Sequence, residues 1–141
     1  MDIKPENFVF VNGTLKMIDL GLALCLPDDE DYLEAEIVYG TNLFMAPECF
    51  TSRKVSGENG QPVFLTTLTL QADIWSAGVL LLQMLPMKAE RPDPTMPMDF
   101  IKNKLRVDET YVASIMEVLS LCLQRDAAER PVIQQLRKVL I

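Results

Sequence analysis

The chain opens on an acid, a base and an amide in fixed order, Asp2-Ile3-Lys4-Pro5-Glu6-Asn7, and Asp19-Leu20-Gly21 begins twelve residues after Asn7. That order suits phosphoryl transfer. One carboxylate orients a hydroxyl, a Lys neutralises phosphate charge, and an amide oxygen with a second carboxylate holds magnesium. The chain has no His, so carboxylates and Lys must carry any catalysis within it. Taken alone, the opening hexapeptide also reads as a polar loop ahead of a hairpin.

For these groups to act together, local structure has to bring them together. Phe8-Val9-Phe10-Val11 and Thr14-Leu15-Lys16-Met17-Ile18 flank Asn12-Gly13, a pair that tolerates the positive φ angles of a tight turn. A β-hairpin over residues 8–18 sets Asn7 and Asp19 at neighbouring strand ends. Residues 22–40 show weak periodicity and read as a surface loop. Ala46 to Thr51 suits a short helix, and Val55 to Pro62 is a turn-rich insertion. Ala72 to Leu85 is apolar on nearly all faces, which predicts a central buried helix. Four prolines in 86–97 predict an extended connection. A short helix follows over Met98 to Leu105. Val112, Ile115, Met116, Leu119, Cys122 and Leu123 keep helical spacing within an amphipathic helix from Glu109 to Leu123. Pro131 suits the first turn of a last helix with Ile133, Leu136 and Leu140 on one face. There is no internal repeat and no domain boundary. The expected fold class is mostly α, a helical domain with a small β-hairpin next to the catalytic loop.

Composition narrows the class. The 141 residues are one domain's worth of chain, with apolar and charged fractions of 49% and 23%, ordinary for a globular protein. No apolar run reaches membrane-spanning length, and the acidic start is no secretory signal. Cys25, Cys49 and Cys122 lie far apart without a CxxC pair, which argues against a disulfide framework or zinc site and fits a reducing compartment. Buried and inert is the default reading of all three thiols, and core the default for Trp75 and the eight methionines. The net charge of −7 comes largely from Asp28, Asp29, Glu30, Asp31, Glu34 and Glu36; without these six acids and bases nearly balance. No Lys/Arg cluster marks a nucleic-acid surface, so neither nucleic acid nor membrane is an expected partner.

Further motifs follow in order: Asp19-Leu20-Gly21, Gly40-Thr41 through Met45-Ala46-Pro47-Glu48, Asp73-Ile74-Trp75-Ser76-Ala77-Gly78, Leu121-Cys122-Leu123-Gln124-Arg125-Asp126, and Arg130-Pro131. Together they resemble the eukaryotic protein kinases, and the likeness spans almost the whole chain as a C-terminal lobe (C-lobe), residues 1–141, from catalytic loop to last helix. Leu20 stands where the family usually has Phe, and Phe44 where it usually has Tyr. Within the family, Asp-Ile-Lys-Pro-Glu-Asn-Phe-Val, the Asn12-Gly13 hairpin with Leu15-Lys16, Gly40-Thr41-Asn42 and the insertion before Asp73 look like the monopolar-spindle (TTK-like) checkpoint kinases.

The resemblance implies roles residue by residue. Asp2 orients the substrate hydroxyl or accepts its proton, and Lys4 lies by the transferred phosphoryl group. Asn7 binds magnesium and braces the loop, and Asp19 bridges magnesium to the phosphates. Lys4, Glu6, Asn7 and Asp19 lie on the nucleotide side. Thr41 hydrogen-bonds Asp2 and Lys4 and shapes the substrate pocket, as in serine/threonine kinases. Gly21 belongs to the magnesium triplet. Glu48 and Arg130 resemble a buried ion pair, and Asp73 accepts backbone N–H groups from the catalytic loop. The cofactors implied are ATP and Mg2+. The implied partners are proteins bearing Ser or Thr, kinetochore proteins among them, and the implied location is nucleus or cytoplasm.

The acid run reads as a solvated loop or as a substitute for a phosphorylation switch. Between Asp19 and Thr41 there is no Ser or Thr, only Tyr32 and Tyr39, and Met1 stands where the family often has a phosphate-pairing Arg. The glycine-rich loop, the ATP-anchoring Lys and its Glu partner that the family carries upstream are not among these residues. The function read from the likeness is a serine/threonine or dual-specificity protein kinase of the spindle checkpoint, as a truncated catalytic domain inactive alone. The alternatives are a generic serine/threonine kinase, a non-catalytic kinase-like binding module, or an inert fragment. Without the helix that packs on Ala72–Leu85, that segment is expected to leave an apolar face exposed.

Overall fold

The computed structural model describes residues 2–86, 94–96, 98–104 and 108–139. The predicted connection over 86–97 falls mostly outside these, as do Leu105 and Leu140. In chain order come β1 (Phe8–Val11), β2 (Thr14–Met17), β3 (Tyr32–Ala35), β4 (Arg53–Ser56), β5 (Pro62–Thr69), α1 (Gln71–Met84), α2 (Met98–Lys104), α3 (Glu109–Cys122) and α4 (Ile133–Val139). Short 3-10 turns span Pro5–Asn7, Pro47–Phe50 and Ala127–Glu129.

The first hairpin forms where Asn12-Gly13 points. Its turn residues take φ of 51° and 77°, and β1 pairs β2 from Phe8↔Met17 to Val11↔Thr14. Positive φ at both centres is what a two-residue turn needs to match strand twist. The Ile18 N–H then donates to the Asn7 carbonyl at 3.0 Å, closing the hairpin's base. Asn7 and Asp19 therefore leave the same end of one small sheet.

A second sheet corrects the expectation of a mostly α domain with one hairpin. The described residues form helices together with two small sheets, the second being three-stranded and antiparallel in order β3-β5-β4. The segment 22–40, expected to be loop throughout, contributes β3, paired from Tyr32↔Thr69 to Ala35↔Thr66. The insertion is folded as well: β4 pairs β5 from Arg53↔Leu65 to Ser56↔Pro62 around a turn in which Gly60 has φ of 71°. Pro62 sits at the first position of its strand, where a missing N–H is tolerated. The β-branched run in Val63–Thr69 explains the strand.

The helical core sits behind the sheets. Phe44, Ala46, Trp75, Val79, Leu82, Ile101, Leu119 and Leu123 form one buried cluster, and Ile74, Val118, Cys122 and Leu136 a second beside it. Trp75 is core, 4% exposed. Gly78 lets α1 and α3 meet closely, since a Cβ there would lie 2.6 Å from Cys122 Cβ. At the C-terminus, Pro131 precedes α4 instead of occupying its first turn, and Leu136 is buried while Ile133 is exposed. Helix phase does not explain the split, since positions 133 and 136 lie only about 60° apart around the helix. Leu136 packs with Ile74, Val118 and Cys122, whereas Ile133 is the first residue of the short helix and is left uncovered.

The exposed apolar side chains lie mainly away from α1. Phe10, Leu15, Ile18, Leu20 and Leu24 stand on or after the first hairpin, whereas α1 exposes little beyond Ala77 and Met84. Of the cysteines, Cys122 is buried and Cys49 half-buried, but Cys25 is exposed, which corrects the buried default for that thiol. Burial pushes the Cys122 thiol up to about 11 and raises that of Cys49 too, so neither is a thiolate at neutral pH. Among the described residues no helix is long and apolar enough to cross a membrane.

Candidate active site

The 3-10 turn Pro5–Asn7 folds the opening hexapeptide back on itself, with the Asn7 N–H donating to the Lys4 carbonyl at 3.1 Å. Pro5 at its first position has no N–H to leave unpaired and a φ already set for the turn. The buried Asn7 side chain donates through Nδ2 to the Asp2 carbonyl at 2.7 Å. This amide ties the start of the loop to its end and leaves Oδ1 as the side chain's remaining donor atom to a cation.

Asp2 and Lys4 form an ion pair of 2.5 Å between Oδ2 and Nζ. Thr41, far away in sequence, completes a triangle: its N–H donates to Asp2 Oδ1 at 2.9 Å, its hydroxyl to Asp2 Oδ2 at 3.3 Å, and Lys4 Nζ donates to Thr41 Oγ1 at 3.0 Å. Burial opposes ionisation of Asp2, but the Lys4 and Thr41 donors together outweigh it and hold the carboxyl below its ordinary value of 3.8. Lys4 moves the other way. Its hydrogen bond to Asp2, set against some desolvation and joined by the charges of Asp2, Glu6 and Asp19, raises its ammonium above 10.5. Both groups are therefore charged at neutral pH.

Asp19 is exposed at the exit of β2, its Oδ1 accepting the Gly21 N–H at 2.8 Å. A Cβ at Gly21 would come 3.1 Å from that oxygen, so the absent side chain keeps the turn open. Asp19 is close enough to act electrostatically on Lys4. Glu6 is exposed on the 3-10 turn Pro5–Asn7. The structure thus brings Asp2, Lys4 and Thr41 into direct contact, sets Asn7 behind them, and places Asp19 at the neighbouring strand end with its second oxygen not used by Gly21.

The donor set of Asn7 and Asp19, an amide oxygen and a carboxylate, is chemically suited to magnesium, which binds hard oxygens and commonly keeps water and substrate phosphates as further ligands. Among the described residues no group of three or more His, Cys, Asp or Glu could hold a metal alone. Water and phosphate oxygens would complete the shell.

The site is fixed from behind by one ion pair. Arg130, its side chain fully buried, makes a two-pronged contact with Glu48: Nη1 to Oε1 and Nη2 to Oε2, each 2.7 Å. Its other donors reach the carbonyls of Gln124 (2.7 Å), Gln71 (3.0 Å) and Arg125 (3.2 Å), and the guanidinium lies 5.1 Å from the Trp75 ring centre. The pair locks the turn after Thr41 to the start of α1 and to the loop before α4. Asp73 stands in the first turn of α1, lining a small cavity with Leu24, Tyr39 and Met45.

Sequence reasoning missed Ser76. Its hydroxyl donates to the Phe44 carbonyl at 2.7 Å and to the Ala72 carbonyl at 3.1 Å, tying α1 to the segment that carries Thr41. The signal was available: a lone hydroxyl on an otherwise apolar, buried stretch of helix needs a partner.

The protein kinase domain family matches residues 1–139. Among curated relatives, the serine/threonine-protein kinase mph1 of Schizosaccharomyces pombe is 29% identical over 96% of this chain and 23% of its own length. The serine/threonine-protein kinase MPS1 of Encephalitozoon cuniculi is 30% identical over 96% of this chain and 22% of its own. The dual specificity protein kinase TTK of Mus musculus is 37% identical over 59% of this chain and 10% of its own. The chain therefore spans about a quarter or less of the length of the curated relatives it matches. A family match across nearly every residue agrees with the motifs, and so do relatives that are themselves protein kinases: the chain belongs to the protein kinase family, in the company of the MPS1, mph1 and TTK kinases.

Proposed function

We propose that these residues are the C-terminal lobe of a protein kinase domain that transfers the γ-phosphoryl group of ATP to serine or threonine hydroxyls of proteins, with tyrosine as a second acceptor. The observation that carries this reading is the hydrogen-bonded triangle of Asp2, Lys4 and Thr41, braced by Asn7.

In this reading Asp2 receives the substrate hydroxyl. A carboxyl held below its ordinary value is a weak base, so its main task is to orient the hydroxyl for in-line attack, taking the proton as the bond to phosphorus forms. Lys4 offsets the charge of the transferred phosphoryl group while keeping Asp2 ionised. Thr41 fixes the carboxylate through two donors and sets the wall against which a serine or threonine lies. Magnesium, when bound, would neutralise phosphate charge, and Asn7 Oδ1 with the free oxygen of Asp19 would hold it, Glu6 lying on the nucleotide side. Asp73 supports the loop from below, and the Glu48–Arg130 pair keeps Thr41 in register with α1. The remaining nucleotide contacts, from a glycine-rich loop and a strand Lys, come from outside these 141 residues. By likeness to the monopolar-spindle kinases, the substrates are kinetochore proteins met in the nucleus or cytoplasm.

The test is magnesium-dependent ATP binding by thermal shift, for this chain and for a version extended upstream. A shift in the extended form that Asp19→Ala removes supports the reading. Equal, absent shifts in both sink it in favour of a kinase-like module without catalysis.

A further inference from the structure

The second sheet joins two parts of the chain that the candidate active site does not require to meet. β3 lies midway between Asp19 and Thr41, and its only strand partner among the described residues is β5, which belongs to the insertion before α1. β5 is the central strand, held by β4 on its other side. It runs almost directly into α1, since β5 ends at Thr69 and α1 begins at Gln71. The sheet is thus anchored to the core at one end and grips the 19–41 segment at the other.

Both faces of the sheet strengthen that grip. On one face, the cross-strand partners Leu33 and Leu68 line the same small cavity as Val38, Tyr39 and Met45, which flank Thr41. On the other, Glu34 sits opposite Thr67 and Arg53 opposite Leu65. Positions 65 and 67 share a face, so the two charged side chains reach over β5 and form an ion pair between its two neighbouring strands. The remaining acids of the run, Asp28 to Asp31 and Glu36, are exposed. No Ser or Thr lies between Asp19 and Thr41, so the segment itself offers neither residue type for a phosphate.

We propose that the β4–β5 hairpin is a built-in strap that orders the 19–41 segment by adding it as a third strand, with Glu34 and Arg53 as positioning residues that latch the strap and hold Thr41 against Asp2. The proposal rests on the reading of Asp2 and Thr41 as site residues, and it places control of that site in a strand pairing instead of a phosphoserine or phosphothreonine within the segment.

Amide hydrogen exchange on the chain and three variants tests it: Glu34→Arg, Arg53→Glu and the double swap. Two reporters are needed, the amides of Leu33 to Ala35 and the Thr41 amide that donates to Asp2. Each single reversal replaces an exposed attraction with a repulsion, so exchange at both reporters should rise about three- to ten-fold and return toward the native rate in the double swap. Amides of Val79 and Leu82 in the core should hold their protection throughout; should a reversal melt them, Arg53→Gln gives the milder cut. Free exchange of β3 in the unmodified chain overturns the strap. So does a Thr41 amide that ignores changes in β3, or a swap that fails to restore either reporter. Exchange reports on the strap without phosphoryl transfer, so an inactive full-length protein would overturn the kinase reading and leave the strap intact.

Discussion

Arg130 and Glu48 meet through two parallel hydrogen bonds of 2.7 Å, and the Arg has no exposed side-chain surface. All five of its N–H groups are used, two on the carboxylate and three on carbonyls. Glu48→Ala should therefore destabilise the fold by about 3–5 kcal/mol, because a buried guanidinium loses its counter-charge. Arg130→Lys should also be costly, since an ammonium has three donors on one atom and cannot reach a fork and three carbonyls. The double change Glu48→Leu, Arg130→Met should not restore stability, because it leaves the carbonyls of Gln124, Gln71 and Arg125 unpaired. Urea denaturation of the three variants checks the order; full recovery in the double would show that the carbonyl contacts contribute nothing.

The α1–α3 contact makes a sharper claim at Gly78. An added Cβ would sit 2.6 Å from Cys122 Cβ and 3.0 Å from Leu123 Cδ2. Alanine is the better helix former by about 1 kcal/mol, so a free helix would gain from Gly78→Ala. Here overpacking should win, with net destabilisation of about 1–3 kcal/mol, because two Cβ atoms have no rotamer that separates them. Adding Cys122→Ala should give no rescue, as it keeps the offending Cβ, while Cys122→Gly should relieve the clash. Thermal melts of the three variants distinguish a helix-spacing role from a role for the thiol.

How much of this was legible follows from where the information sits. The first hairpin was readable because Asn12-Gly13 dictates its own turn, and α1 because fourteen residues of nearly unbroken apolar character have few alternatives. The candidate site was readable because its spacing is local, from Asp2 to Asn7 and across one hairpin to Asp19. β3 was not. It is four residues long inside an acid run, and its alternation of half-buried Leu33 and Ala35 is masked by Glu34 and the neighbouring acids. Its partner lies more than thirty residues on, so no local pattern announces the pairing. β5 was there to be read in Val63–Thr69, directly after the turn-rich residues of the insertion. The exposure of Ile133 beside the burial of Leu136 depends on which neighbours α4 meets, which periodicity alone does not specify.

Titration of Asp2 follows from its donors. Its carboxyl is held below 3.8, so the stability it contributes is complete above that pH and is lost as the pH falls through the lower native value. Lys4 is the mirror case: its ammonium is raised, so its contribution is complete below pH 10.5 and lost as the pH climbs through the higher native value. Lys4→Met should raise the Asp2 value more than Thr41→Val does. The valine keeps the backbone N–H that donates to Oδ1 and deletes only the longer hydroxyl contact. Carboxyl carbon shifts followed by NMR across acid pH measure both; an equal response to the two changes would refute the ranking.

Asn7 separates bracing from metal binding. Its Nδ2 donates to the Asp2 carbonyl at 2.7 Å in a buried setting, so Asn7→Ala should cost about 1–3 kcal/mol by leaving that carbonyl unpaired. Asn7→Asp keeps an oxygen for a cation yet turns an acceptor toward the same carbonyl, so without metal it should be the less stable of the two at neutral pH. Adding magnesium with ATP to the upstream-extended protein should narrow that gap for Asn7→Asp and leave Asn7→Ala unmoved. Denaturation with and without the metal nucleotide reads both effects. Equal responses would mean that Asn7 acts as a brace alone, and that Asp19 holds the ion without it.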